Sequence, residues 1–571
     1  MSKLFPFMVI VCLFAFTGEA ESRSKSDKEV DSITTILHSE LQEFFERENV
    51  PAVFSSQAEI VKCLTPWLIL YGEVENLLDM KTRQKINDLL HFDQQSAESF
   101  DSESGRFRLY FYREGEHAVP EEDNDQSGVP DYVERAAEYA DESWQHQVAE
   151  LGFEDPVVIG PLSIEFRDID SLTYGYTQPD GLTTRIVVHS NFEDFPPNDD
   201  PEGNQLGALK VTIAHELKHS IQYATNRWRG DAGEVDWMEM DATMMENIVY
   251  PQVNDYYNYI GGSAGIFGNP RRSTPVAYHH VTWSLFYAEH LGMLYWVETW
   301  QEIQDDHYIP MLDAMMQALP GISSGEEQMT FNQLFVRNHL WHATSGTRNI
   351  QGYGFSESVY YPDAFMEQVH HVVPEAFEDA GQIANLAGSY RMFHLGPGQI
   401  GQITILAEHN HNNLAIGLAA YRTDGSVEEW IVPPGENGFT QATSPFSAVD
   451  IDSFIVVLAN ADRTDQVTYT LKMSMMTIPE IVTLEPNFPN PLSHLSSNSQ
   501  TTIAFSVPET EHVTISVYDV TGRKIATVFE RQVDPGRYLI PFDAAGLASG
   551  VYVYHMQAGH VQKSRQMTFI R

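Results

Sequence analysis

The sequence predicts a multidomain protein in which an α+β domain is followed by two all-β sandwiches. Three observations predict it. The chain has 571 residues, too many for one compact core. Runs of strand period give way to runs of helix period between about residues 100 and 375, which is the order of an α+β domain. After about residue 380, short alternating runs separated by turn residues take over, as in sandwiches.

The elements follow in order. "MSKLFPFMVIVCLFAFTGEAES" has a basic start, an apolar run too short to span a bilayer and small residues before Ala20, so residues 1–20 read as a secretory signal peptide. Residues 21–98 read helical, with apolar positions three and four apart in "ITTILHSELQEFFERE" and "VENLLDMKTRQKINDLLHF". They are left open as a removable prosegment or a permanent part. Residues 99–378 form the α+β domain, with strands in "RFRLYFYREGE", "PVVIGPLSIEFRDI" and "TTRIVVHSNF" before the helical "NQLGALKVTIAHELKHSIQYA". Residues 379–478 give the first sandwich, from "SYRMFHLGP" to "VTYTLKMSM". A Pro/Asn-rich joint, "PEIVTLEPNFPNPLS", opens the second, at 479–571.

Composition narrows the function. Asp and Glu number 80 against 34 Lys and Arg, a formal charge of −46. That surface repels phosphates and anionic lipid heads, which argues against a nucleic-acid partner. It fits solubility outside the cell or a high-salt habitat. No stretch after the leader is apolar enough for a transmembrane segment. Past residue 20 one cysteine is left, Cys63, so no intramolecular disulfide forms.

The chemistry centres on "AHELKHSIQYATNRWRGDAGEVDWMEMDA". Residues four apart share a helix face, so His215 and His219 can aim at one ion, and Glu216 can take a proton from water there. Glu239 follows on what reads as a second helix. Two His and one Glu form a catalytic zinc set with an open fourth position. The strand "TTRIVVHSNF" is placed to bind an extended peptide by edge pairing.

"VTIAHELKHSIQ" with "WMEMDA" resembles the gluzincin metallopeptidases. The wider pattern over about residues 100 to 370 is similar to a family of secreted bacterial metalloproteases first noticed in myxobacteria. The resemblance implies a zincin-like catalytic domain, zinc on His215, His219 and Glu239, and Glu216 as general base. Departures are Lys218, read as snorkelling to solvent, and Thr243, where thermolysin-like enzymes carry an Asp that orients a histidine. Asp241 and Glu246 are the candidates to replace that Asp, although each reads more simply as a solvated helix residue. Tyr278, His279 and His280 are candidates to stabilise an oxyanion, although each reads more simply as a packed ring.

"DNDQSGVPDYVE" resembles an EF-hand loop, which implies calcium on Asp123, Asp125, Ser127, the Val129 carbonyl, Asp131 and Glu134. Pro130 departs from that pattern, and no clear helix precedes the loop. Cys63 reads as an inert thiol in an apolar helix rather than as a ligand supplied by a prosegment. The last ninety or so residues, with "PNFPNP", "VTISVYDVTGRKIATV" and "GLASGVYVYHMQAG", resemble the C-terminal sorting domain of type IX secretion cargo, and the two sandwiches read as Ig-like. The resemblance implies outer-membrane secretion machinery as a partner and release or display at the cell surface. The expected function is a secreted zinc endopeptidase acting on protein or peptide substrates. The rivals are a catalytically silent surface-binding protein on the same scaffold and a zinc aminopeptidase.

Overall fold

The computed structural model describes residues 62–570, apart from 76, 77, 79, 170–172, 230–234, 323–328, 375, 376, 397–400, 411, 412, 433, 434, 436, 437, 476–478, 480 and 494–499. The signal peptide and the first predicted helix therefore lie outside the described residues. The chain divides into two units, a mixed helix–strand unit followed by a mainly β unit that includes most of one α-helix among its described residues.

The first unit holds α1 (Thr65–Val74), α2 (Met80–Leu90), β1 (Glu98–Asp101), β2 (Phe107–Phe111), α3 (Asp131–Trp144), β3 (Leu162–Arg167), β4 (Gly175–Asp180) and β5 (Thr183–His189). It continues through α4 (Asn204–Asn226), α5 (Val235–Val249), α6 (Val281–Leu291), α7 (Leu294–Asp305) and α8 (Met311–Ile322). The sheet order is β1-β2-β3-β5-β4, with β4 antiparallel to β5 at one edge. The predicted peptide-binding strand is β5, and it is interior, paired with β3 on one side and β4 on the other. Its backbone groups are already spent, and the strand at that edge of the sheet is β4 instead.

Helix α4 is buried on all sides from Gly207 to Gln222, which suits its apolar Val211, Ile213, Ala214, Leu217 and Ile221. It lies against β4 because Gly175 has no side chain. A Cβ there would sit 2.9 Å from Thr212 Cγ2 and 3.3 Å from Glu216 Cγ. Lys218 does not snorkel. Its ammonium is fully buried, 3.3 Å from the centre of the Phe153 ring and 3.4 Å from Asp241 Oδ2. Burial lowers its pKa to about 8.

The second unit opens with most of α9 (Phe331–Ala343). Two sheets follow, β11-β10-β13-β8-β6 and β12-β9-β14-β7, and Phe393, Leu418 and Val456 of one share a core with Ile405, Leu471 and Phe377 of the other. Their strands are β6 (Gln368–His370), β7 (Phe377–Ile383), β8 (Ala387–His394), β9 (Ile403–His409), β10 (Leu414–Arg422), β11 (Val427–Val432), β12 (Phe439–Thr443), β13 (Ile451–Asn460) and β14 (Val467–Met475). The tail adds β15 (Thr483–Leu484) to β22 (Val561–Ile570) in sheets β15-β17-β20 and β16-β22-β21-β18-β19. These have their own core around Phe505, Ile515, Tyr554 and Phe569.

Helix α9 packs on the first of these sandwiches rather than within the preceding unit. Two strand glycines let it close in: a Cβ at Gly388 would lie 2.6 Å from His339 Nδ1, and one at Gly417 would lie 2.9 Å from Leu340 Cδ1. The helix buries His339, bonded to the Tyr390 hydroxyl at 2.6 Å, and His342, whose Nδ1 meets the Asn338 carbonyl at 2.8 Å. Burial pushes His342 down to about 4, and burial together with His342 pushes His339 well below its usual value. An unfolded histidine titrates near 6.5, so between these values the unfolded chain binds protons that the folded chain refuses. Stability is therefore complete above about pH 6.5 and is lost as the pH falls towards 4, by about 3 kcal/mol for His342. The urea midpoint of this unit should fall over that range, and His342→Leu should flatten the fall. An unchanged slope in the variant would remove His342 as its source.

Candidate metal centre

Helix α4 presents His215 and His219 on one face, and α5 brings Glu239 against them. The His215 and His219 Nε2 atoms lie 3.1 Å apart. Glu239 Oε1 is 2.8 Å from His219 Nε2, and Oε2 is 3.5 Å from His215 Nε2. A fourth donor joins them. Cys63 Sγ lies in the same group, with all four ligand atoms within 4.8 Å of one another and all four residues buried.

The outer partners fix which ring nitrogens carry protons. His215 Nδ1 faces Glu246 Oε1 at 2.8 Å, and His219 Nδ1 faces Gln222 Oε1 at 2.8 Å. The Gln222 amide is oriented by donating Nε2 to the Met238 carbonyl and to Asp241 Oδ2. Both partners are acceptors, so each histidine holds a proton on Nδ1 and leaves Nε2 as the ring atom that can offer a lone pair inward. Glu239's two oxygens accept no hydrogen bond although the residue is buried. Two lone pairs, a bare carboxylate and a thiol thus converge on one point, and only a cation or added protons satisfy such a set. Without a cation the set takes protons instead, and the electrostatics reflect that. Burial alone would lower His215, but Glu239 and Glu246 outweigh it and raise the ring to about 10. Burial would raise Glu239, but His219 and His215 hold it at about 2. The donor set fits a divalent metal that takes nitrogen, oxygen and sulfur.

Glu216 sits beside this set without joining it. Its Oε2 accepts from Thr177 Oγ1 at 2.7 Å and from Thr65 Oγ1 at 3.3 Å. Burial raises its pKa, against the lowering pull of His215 and His219.

Asp241 and Glu246 are buried and orient the ligands, contrary to the solvated-helix reading. Glu246 also belongs to an ion trio in which Lys62 Nζ lies 2.7 Å from Glu246 Oε2 and 2.6 Å from Asp255 Oδ2. Tyr174 donates to Asp255 at 3.0 Å and receives a bond from Tyr259. Gln222, Lys62, Thr65 and Thr177 escaped the sequence reading. Gln222 alone had a usable signal, its place three residues after His219 on the same face. Of the oxyanion candidates, His279 Nδ1 meets the Tyr259 carbonyl, His280 meets Thr274 and the Ala264 carbonyl, and Tyr278 packs edge-on against Tyr259.

Cys63 is buried, as expected, but it does not lie in a helix. It precedes α1, and its segment lies along the free edge of β4 with Cys63 opposite Gly175 in a parallel bridge.

In the acidic loop, Asp123, Asp125 and Asp131 come together. Asp123 accepts from the Ser127 and Gly128 amides at 3.0 Å each, and Gly128 has φ +87°, as a tight loop at that position requires. Ser127 Oγ faces the Val129 carbonyl at 3.2 Å. Glu134 stands outside the carboxylate group, because Asp131 already begins α3 and Glu134 lies a turn further along it.

Residues 487–570 match the secretion system C-terminal sorting domain. The chain is therefore cargo of type IX secretion, destined for the cell surface or beyond, and no helix among the described residues is long and apolar enough to cross a membrane. No curated protein matches. Among solved structures, a β-1,2-glucanase from Parabacteroides distasonis is 9% identical over 34% of this chain and 32% of that one, with a TM-score of 0.14. A DUF4785 family protein from Legionella pneumophila is 11% identical over 35% and 65%, with a TM-score of 0.13. A β-glucuronidase from Parabacteroides merdae is 14% identical over 29% and 26%, with a TM-score of 0.11. The chain spans less than two thirds of the length of each, and at these TM-scores the likenesses define neither fold nor activity.

Proposed function

We propose that this protein is a secreted zinc-dependent endopeptidase of gluzincin type. One observation carries the reading. The inward Nε2 atoms of two histidines and the buried carboxylate of Glu239 converge beside a second carboxylate, Glu216, that is not one of them. His215, His219 and Glu239 would hold the ion. Zinc there supplies Lewis acidity towards a carbonyl oxygen and makes water acidic near neutral pH. Glu216 takes a proton from the attacking water at its carboxylate and delivers it to the departing amine. Glu246 and Gln222 keep each histidine in the tautomer that binds. Thr177 holds the Glu216 carboxylate in place. The outer edge of β4, whose start now pairs with Lys62–Leu64, is where an extended substrate backbone would pair.

The test is zinc content together with casein cleavage, on the full chain and on its His219→Ala variant, before and after limited proteolysis. One zinc per chain, lost in the variant, with cleavage that depends on it, supports the reading. No zinc on the wild-type chain ends it. One observation favours a second reading, a silent scaffold. The fourth donor, Cys63, makes a closed set, as in structural zinc sites.

A structural calcium ion on Asp123, Asp125 and Asp131 belongs to the same proposal. At a tenfold excess over its dissociation constant, calcium should stabilise the protein by about 1.4 kcal/mol. A melting curve with and without millimolar calcium checks this. The rise should vanish in Asp125→Asn, and a chain indifferent to calcium would leave the loop as an acidic turn.

A further inference from the structure

We propose that Cys63 is a fourth ligand of this metal centre and that the segment Lys62–Thr65 is a built-in plug, which keeps the site closed until it withdraws. The inference rests on the zinc-peptidase reading and adds its regulation. Three separate contacts converge on these four residues.

The first is the thiol itself, whose sulfur lies within 4.8 Å of donor atoms on His215, His219 and Glu239. Glu239 is buried and its oxygens take no hydrogen bond beyond the facing His219 and His215 rings, so the point that the sulfur faces calls for a cation or added protons. Zinc accepts sulfur from cysteine, nitrogen from histidine and oxygen from carboxylates, the three donor types present here.

The second is the backbone. The Tyr174 amide donates to the Lys62 carbonyl at 2.9 Å, and the Leu64 amide donates to the Gly175 carbonyl at 3.2 Å. The segment thus takes up the exposed edge of β4, the hydrogen-bonding groups that an extended substrate would need. Leu64 packs on Tyr176 and Val187 from the same sheet.

The third is Thr65. Its hydroxyl accepts the Thr177 amide at 2.8 Å and reaches Glu216 Oε2 at 3.3 Å. One short segment therefore occupies the fourth ligand position, the substrate edge and the general base. A purely structural role for Cys63 would explain the first contact and neither of the others. Lys62, paired with Glu246 and Asp255, anchors the plug from its other side.

The full chain, loaded with cobalt(II) in place of zinc, tests the ligand. The wild-type protein should show a near-ultraviolet sulfur-to-cobalt charge-transfer band. Cys63→Ser should bind one cobalt without that band. In the zinc form, mass-spectrometric mapping should find Cys63 protected from alkylation and labelled after chelation, a readout that needs no variant. With zinc restored, Cys63→Ser should cleave casein at least about tenfold faster than wild type, and the added Glu216→Gln change should remove that gain. Cobalt bound without the band, or Cys63 alkylated in the zinc form, overturns the plug and leaves the peptidase reading intact. A band that is lost in Cys63→Ser without any gain in cleavage overturns latency and makes the centre a structural one. No cobalt bound by any form overturns the metal centre itself.

Discussion

Glu216→Gln, made in whichever form of the chain cleaves casein, should keep the zinc content of its parent and lose about 10²–10⁴-fold in kcat. The argument is geometric. Glu216 is buried next to the ligand set, yet its Oε2 is turned to Thr177 and Thr65 rather than to the point where the ligands meet. Glutamine has the same shape and still accepts the Thr177 hydroxyl, so the helix and its histidines stay in place. Glutamine cannot take a proton from water, and that is the step the variant removes. His219→Ala is the contrasting change, because it deletes an inward nitrogen and should lose metal and cleavage together. Zinc retained with cleavage within about threefold of the parent, well short of what a general base contributes, would strip Glu216 of its role. Zinc lost along with cleavage would make Glu216 a ligand.

The part of the site that was legible in the sequence is the part with a local period. His215 and His219 are four apart, and Glu239 lies on the next helix, so spacing and the family resemblance together named the three residues that the structure brings together. Cys63 is far away in sequence, and nothing in "EIVKCLTPWLIL" says that this stretch returns to the edge of β4. Lys218, Asp241 and Glu246 were misplaced for one shared reason. A charged residue on a helix reads as solvated unless its partner is known, and the partners Phe153, Gln222 and Lys62 belong to other elements or turns. Period two identified β5 as a strand without saying whether it was an edge, and the edge strand itself, β4 with its sequence GYTQPD, went unread. Helix α9 has a clear helical run, but only Gly388 and Gly417, on strands well downstream, decide which sheet it covers. The sorting domain was readable because its signals are short motifs inside single strands and turns.

Lys62→Met should cost about 3–5 kcal/mol of stability and expose Cys63 to alkylation. Lys62 is almost completely buried, with its ammonium between Glu246 and Asp255 and near the rings of Tyr174 and Tyr259. Burial would lower its pKa, but the two carboxylates outweigh it and hold the charge on. Without the lysine, two buried carboxylates face each other uncompensated, and one of them, Glu246, is the group that holds His215 in its binding tautomer. The loss is therefore a penalty for stranded charge more than the worth of a contact, and a second substitution separates the two. Asp255→Asn removes one stranded carboxylate, so Lys62→Met/Asp255→Asn should recover part of the stability that Lys62→Met loses. Urea unfolding of the four proteins in that cycle gives the coupling directly. A double variant no better than the single one would mean that Lys62 acts through packing on Tyr174 and Tyr259 instead. Recovery of stability without renewed protection of Cys63 would separate the anchor from the plug: the charge trio would hold the fold, while the edge pairing at Tyr174 and Gly175 would hold the thiol over the metal ligands.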